Sequence, residues 1–209
     1  MIVEEKLLLR QICYRLFSSL FLYPERRRLV EIQDAASFLT GEGKLFSDEM
    51  EYLIRQLADI DLNNERSIIN EYNRLFLIKP KAPPYETFYT DAEGQLRGLL
   101  TAKLEEKYLN AGLAISPELN ELPDHISVEL EFMAYLCMKE AEACQNTDDI
   151  ETARFRAQQI SFMGQHLARW FPRFSQRIKE SEPRSIYQNM LPAAYGFLRY
   201  ELDELVLRN

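Results

Sequence analysis

The sequence is poor in the residues that strands and tight turns require. Glycine occurs 7 times in 209 residues, mostly between helical patterns, and Val and Thr are few beside Leu, Glu, Arg and Ala. That shortage disfavours strand-turn-strand architecture and favours helix. Cys13, Cys137 and Cys144 form an odd set without C-x-x-C spacing. They exclude a disulfide framework and read as buried or free thiols in a reducing compartment. The only histidines, His125 and His166, fall on different expected helices without H-x-x-x-H spacing, so neither a metal nor a cofactor is expected. No apolar run reaches about 18 residues, which excludes a helical membrane span and stable insertion. Positive charge is short as well: the net charge is −8, which speaks against nucleic acid as a partner. The apolar run 16–23 follows Arg10, Gln11 and Arg15, and the first charges are Glu4 and Glu5. That is the wrong sign for a signal peptide, so a cytoplasmic location is expected.

What is present is the balance of a folded protein, with 46% hydrophobic and 28% charged residues. Helical periodicity covers most of the chain. It gives nine segments, at 4–22, 26–40, 48–58, 64–77, 96–110, 124–138, 150–170, 173–180 and 185–207. The first buries Leu9, Ile12, Cys13, Leu16, Leu20 and Phe21 on one face. Asp124 reads as the N-cap of a helix whose apolar residues surround it, from Ile126 through Met138, which marks a central buried element. The segment 150–170 shows one apolar face through Ile150, Ala153, Ala157, Ile160, Met163, Leu167 and Trp170, and Pro172 is expected to end it. Pro192 should kink or restart the last segment. No repeat or low-complexity tract appears. The expected fold class is all-α, one compact domain of about nine helices over residues 1–209.

One stretch breaks the pattern. Residues 77–91 read LIKPKAPPYETFYTD, and prolines at 80, 83 and 84 keep the chain extended and stiff. A rigid aromatic loop in a helical domain is either a packed connector or a binding surface. Conventional signatures of chemistry fail. Gly41-Glu42-Gly43-Lys44 lacks the spacing and the following Ser or Thr of a phosphate loop, and reads as a turn. Each cysteine sits in an apolar helical pattern, where a thiol is normally inert. No catalytic residue is expected.

Two segments carry a resemblance. The first is Glu71-Tyr72-Asn73-Arg74-Leu75-Phe76 with the loop Pro83-Pro84-Tyr85-Glu86-Thr87-Phe88-Tyr89. The second is Leu122-Pro123-Asp124-His125-Ile126 running on through Glu129-Leu130-Glu131-Phe132-Met133. In this order and spacing they resemble the signature regions of the TorD/DmsD/NarJ redox-enzyme maturation chaperones, over about a third of the chain. The resemblance implies a non-enzymatic chaperone with an all-α fold. Its partner would be the twin-arginine signal peptide, and the apo body, of a molybdopterin-dinucleotide oxidoreductase subunit, held until cofactor insertion and export. It implies peptide recognition at Tyr72, Leu75, Phe76, Pro84, Tyr85, Glu86, Asp124 and His125, with negative charge nearby from Glu118, Glu121, Asp124, Glu129 and Glu131. Without it, Leu75 and Phe76 read as core and Asp124 as a helix cap. Three alternatives stand beside it: a NarJ-like assembly factor for a membrane-bound enzyme with a vestigial leader, an enzyme or nucleotide- or cofactor-binding protein, and a plain helical interaction scaffold. Monomer and swapped dimer are both compatible.

Overall fold

The computed structural model describes residues 3–41, 47–90, 97–116 and 119–207; Glu118, the Glu42–Lys44 part of the glycine turn and residues 91–96 lie outside them. Among the described residues ten α-helical segments follow one another: α1 Val3–Leu20, α2 Arg26–Thr40, α3 Asp48–Ala58, α4 Glu65–Tyr72, α5 Glu86–Thr90, α6 Arg97–Asn110, α7 Ile126–Gln145, α8 Asp149–Phe162, α9 Ala168–Glu180 and α10 Ile186–Leu207. A π turn, Met163–Leu167, makes α8 and α9 continuous, which leaves nine separate helical bodies. Another π turn, Asn73–Leu77, ends α4. Among the described residues there is no strand, and the all-α expectation holds.

The helices start where local chemistry supplies partners for their free N–H groups. Ser47 accepts from Met50 N at 3.2 Å to open α3, and Asp48, Glu49 and Glu51 follow in its first turn. Asp148 does the same for α8 through Glu151 N at 3.0 Å. Because α7 is apolar around most of its circumference, it must be covered on more than one side. It lies between α1 and α8, while α2 packs on α3, α3 on α10, and α10 on α9. Phe132 of α7 is buried between Tyr108 of α6 and Phe162 of α8, with ring centroids 4.7 and 4.8 Å away.

The apolar face assigned to 150–170 is corrected in its first half. Ile150 is 82% exposed, and Ala153 and Ala157 are exposed too; Phe155, Gln159 and Phe162 are buried instead. Met163, Leu167 and Trp170 are buried as expected. The π turn inserts an extra residue and so rotates the face by about 100°, which no single 3.6-residue period can follow. Pro172 does not end the helix but sits inside α9, and Pro192 sits inside α10. The 77–91 stretch also hides a short helix, α5.

A buried charged network ties four helices together. Arg10 of α1 donates from Nε to both carboxylate oxygens of Glu201 on α10, at 2.9 and 2.7 Å, and from Nη2 to Gln159 Oε1 on α8 at 2.8 Å. Gln159 Nε2 in turn donates to Glu140 Oε2 of α7 at 2.7 Å, and Arg156 donates to Glu140 Oε1. Removing one member of a buried pair strands the other charge. Arg10→Ala should therefore lower unfolding free energy by about 3–5 kcal/mol. Arg27→Ala, which breaks only the exposed pair with Glu31, should change it by less than about 1 kcal/mol. Urea denaturation of both variants checks the contrast.

Candidate functional site

The two motif segments meet in space. Tyr85 and His125 form an isolated antiparallel bridge. Glu86 N donates to the Asp124 carbonyl, and Ile126 N donates to the Pro84 carbonyl, each at 2.9 Å. Proline explains the geometry on one side: the residues before Pro83 and Pro84 are biased away from helix, so the chain arrives extended and can pair. On the other side the chain is straight just before α7 begins, with His125 at φ −74° and ψ 138°.

Asp124 is not the cap of α7. His125 is the capping residue, its Nδ1 accepting from Ser127 N at 3.2 Å. Asp124 instead reaches across the bridge, where its Oδ2 accepts from Thr87 N at 3.2 Å and Thr87 Oγ1 at 2.6 Å. A carboxylate at this position satisfies one free amide at the start of α5, a helix that a single-chain pattern does not reveal. His125 is likewise buried rather than displayed, and burial pushes its imidazole down to about 3.

Of the residues assigned to the site, Tyr72, Leu75, Phe76, Pro84, Glu86, Asp124 and His125 are all buried. Tyr85 alone is half-exposed. Tyr72 and Phe76 join Phe21, Phe174 and Tyr187 in an aromatic cluster, with Tyr72–Phe76 centroids 5.2 Å apart and Phe76–Tyr187 5.7 Å. Glu86 binds His166 Nδ1 of the α8–α9 turn at 2.8 Å. These side chains hold the loop, and the outer surface is made by fewer groups. Tyr85 donates its hydroxyl to Glu121 Oε2 at 2.9 Å, and its ring meets His125 edge-on at 5.0 Å. Glu121 also lies 3.7 Å from His125 Nε2. Burial raises the Glu121 carboxyl, partly offset by the Tyr85 hydroxyl. Leu122 and Tyr23 are each 38% exposed beside this carboxylate and Tyr72 respectively.

Several contributors escape sequence reading. Glu121 was legible only as nearby negative charge, although it stands just ahead of Leu122-Pro123-Asp124-His125. Thr87 was legible only as part of the motif loop, Trp170 only as part of an apolar face, and His166 only as a histidine without metal-ligand spacing. Trp170 Nε1 donates to Glu129 Oε2 at 3.0 Å, and Glu129 is buried against the Glu86 carboxyl. Burial, then the neighbouring Glu86, pushes Glu129 well above the usual carboxylate range. The neutral acid so favoured can donate to Glu86, which two anions could not do. The tie between Glu118 and the site lies outside the described residues. Glu131 faces Arg15 at 3.5 Å instead, on the α1 side of α7.

The arrangement is a latched loop presenting a tyrosine and a carboxylate. Among the described residues no group of three His, Cys, Asp or Glu side chains is placed to hold a metal, and no described helix is long and apolar enough to cross a membrane. The nitrate reductase delta subunit family model matches residues 44–176, and the chain belongs to that family, one of maturation chaperones and not of enzymes. The chain is 28% identical to the chaperone protein TorD of Vibrio cholerae over 188 residues, covering 87% of this chain and 83% of that one. It is 27% identical to TorD of Vibrio vulnificus over 208 residues, covering 92% and 93%. A 79-residue stretch is 38% identical to the selenate reductase assembly chaperone protein of Thauera selenatis, covering 38% and 39%. The crystal structure titled as a redox enzyme maturation protein from Archaeoglobus fulgidus superposes with a TM-score of 0.55 at 24% identity, covering 94% and 93%, and shares the fold.

The burial of His125 has a pH signature. Its folded pKa lies below the unfolded value of 6.5, so the unfolded chain binds the extra proton between the two. This contribution to stability is intact above about pH 6.5 and is lost as pH falls toward about 3. The His125 ring resonances should stay flat between about pH 5 and 8 in an NMR titration, the range where an exposed histidine titrates. A midpoint near 6.5 would show the ring to be solvated.

Proposed function

We propose that this protein is a cytoplasmic, system-specific chaperone for the catalytic subunit of a molybdopterin oxidoreductase. It binds the subunit's twin-arginine signal peptide at the Tyr85–Glu121 surface and holds the apo subunit for cofactor insertion before export. The observation that carries this reading is a carboxylate, Glu121, set half-buried between Tyr85 and Leu122. A leader of this class presents guanidinium groups next to an apolar stretch, and its receptor needs a desolvated anion beside aromatic and aliphatic surface. The buried residues Tyr72, Leu75, Phe76, Pro84, Glu86, Asp124 and His125 act by fixing that surface. The three free thiols, two of them buried, suit a reducing compartment.

A second reading is favoured by the family match itself, which is to a nitrate reductase subunit. In that version the client keeps only a vestigial leader, and the chaperone engages its body.

Isothermal titration with a twin-arginine leader and its twin-alanine counterpart tests the first reading. Partly desolvated charge pairs contribute a few kcal/mol where exposed ones give about 1 or less, so the arginine peptide should bind at least about tenfold more tightly. Equal affinities would sink charge recognition. Tyr85→Ala should unfold near the wild-type midpoint and lose leader affinity, because its half-exposed side chain, bonded to Glu121 and edge-on to His125, gives no core packing on the scale of Phe132. Phe132→Ala should lose about 3–5 kcal/mol of stability and bind normally while folded. If Tyr85→Ala binds the leader as wild type does, the loop is a connector only.

A further inference from the structure

A large cavity, about 760 Å³, lies between α9 and α10, and the motif loop does not line it. Its floor is apolar, made by Pro172, Leu191, Pro192 and Tyr195, and its charged rim carries Lys179 and Arg184 with one carboxylate, Glu182. Both cations are exposed, and neither has a carboxylate at ion-pair distance among the described residues. Residues 166–199 hold six Lys or Arg against two Glu, a balance of +4 within a chain of net −8, and of these charges Lys179, Arg184 and Glu182 line the cavity. Such segregation directs an anionic partner to this face.

The helix prolines add a second property. Pro192 has no N–H to offer the carbonyl of Gln188, and Pro172 has none for that of Ala168. Gln188 lines the cavity, and the proline four residues on leaves its carbonyl without the usual helical donor. A carbonyl acceptor beside an apolar floor suits a peptide N–H, whereas it repels a phosphate.

The α9–α10 turn beside the groove is also built at a cost. Glu182 and Ser185 take left-handed backbone, with φ of 49° and 56°, a conformation that non-glycine residues adopt only where surroundings impose it. The clamp comes from α4 and its π turn. Arg74 donates to the carbonyls of Ser181 and Glu182 at 3.0 and 3.3 Å, and Glu71 Oε1 accepts from Arg184 N at 2.7 Å. Arg74 and Glu71 are paired at 2.7 Å, and those hydrogen bonds hold the Glu71 carboxyl below its usual range. Two residues of the Glu71–Phe76 motif therefore serve this loop and not the Tyr85 surface.

From this geometry we infer that the α9–α10 groove is a second docking site, which takes an acidic, apolar-rich segment of the client's mature body. This rests on the reading of the protein as a client chaperone, but not on leader recognition. The two sites select opposite charges: Glu121 takes a cation, and Lys179 with Arg184 take an anion. A client held at both is gripped at its leader and its body, and linkage of the two sites raises avidity without any new contact.

The probes are two peptides of about twelve residues with the same leucines, one interspersed with Glu and one with Lys. The full-length protein should bind the Glu–Leu peptide and not the Lys–Leu peptide, and the affinity should weaken as salt rises from about 0.1 to 1 M. K179E/R184E changes exposed side chains only, so its melting curve should match wild type while Glu–Leu affinity falls about tenfold or more. Benzoylphenylalanine at Gln188 should crosslink the Glu–Leu peptide. Twin-arginine leader binding should be unchanged in K179E/R184E. Equal binding of the two peptides, or full Glu–Leu binding by the double variant, overturns the groove. So does displacement of the peptide by a guanine nucleotide, which would make this a phosphate site. If the leader binds neither wild type nor variant while the Glu–Leu peptide still does, leader recognition fails and the groove stands.

Discussion

The latch between Asp124 and Thr87 is the interaction on which the candidate site depends. It joins residues 37 positions apart, and with the two bridge hydrogen bonds and the Glu86–His166 contact it fixes the proline loop against α7. The latch works because each side lacks something the other supplies. The start of α5 has free amides, and the turn before α7 has a buried carboxylate that needs donors. The two bridge hydrogen bonds then set the register, so that Tyr85 falls opposite His125 and its hydroxyl reaches Glu121.

Behind that latch lies a polar layer that a helical bundle would not need for stability alone. Glu86 with His166, Glu129 with Trp170, and Arg10 with Glu201, Gln159 and Glu140 are buried at contacts between different helices. Hydrophobic contacts are tolerant of small rotations, whereas a buried hydrogen bond is lost by them. These pairs therefore fix how the helices sit relative to one another. The loop and the α9–α10 turn are both placed by such bonds, the first by Asp124 and Glu86, the second by Glu71 and Arg74.

The same division explains why the motif residues are mostly hidden. Leu75 and Phe76 are core, as their pattern alone suggests, and Tyr72 packs with them. Glu71 and Arg74, one turn apart on the same stretch, hold the far loop. A short segment thus supports two surfaces at once, because a helix and its π turn expose different sides to different neighbours.

By itself the sequence determined the fold class, most helix positions and the exceptional nature of residues 77–91. These follow from short-range rules: periodicity sets which face is buried, and proline removes N–H groups and fixes φ. The resemblance of its two motif segments pointed to the family to which the chain belongs. The tertiary structure decided the rest. The π turn at Met163–Leu167 rotates the apolar face, and no local period encodes where an extra residue is absorbed. Asp124 reads as a cap from sequence and is one, but of a helix reached across space rather than along the chain. Thr87, His166 and Trp170 acquire roles only through their partners Asp124, Glu86 and Glu129. Pair contacts between distant residues are properties of packing, so a chain read one position at a time could name the carboxylates but not what they hold.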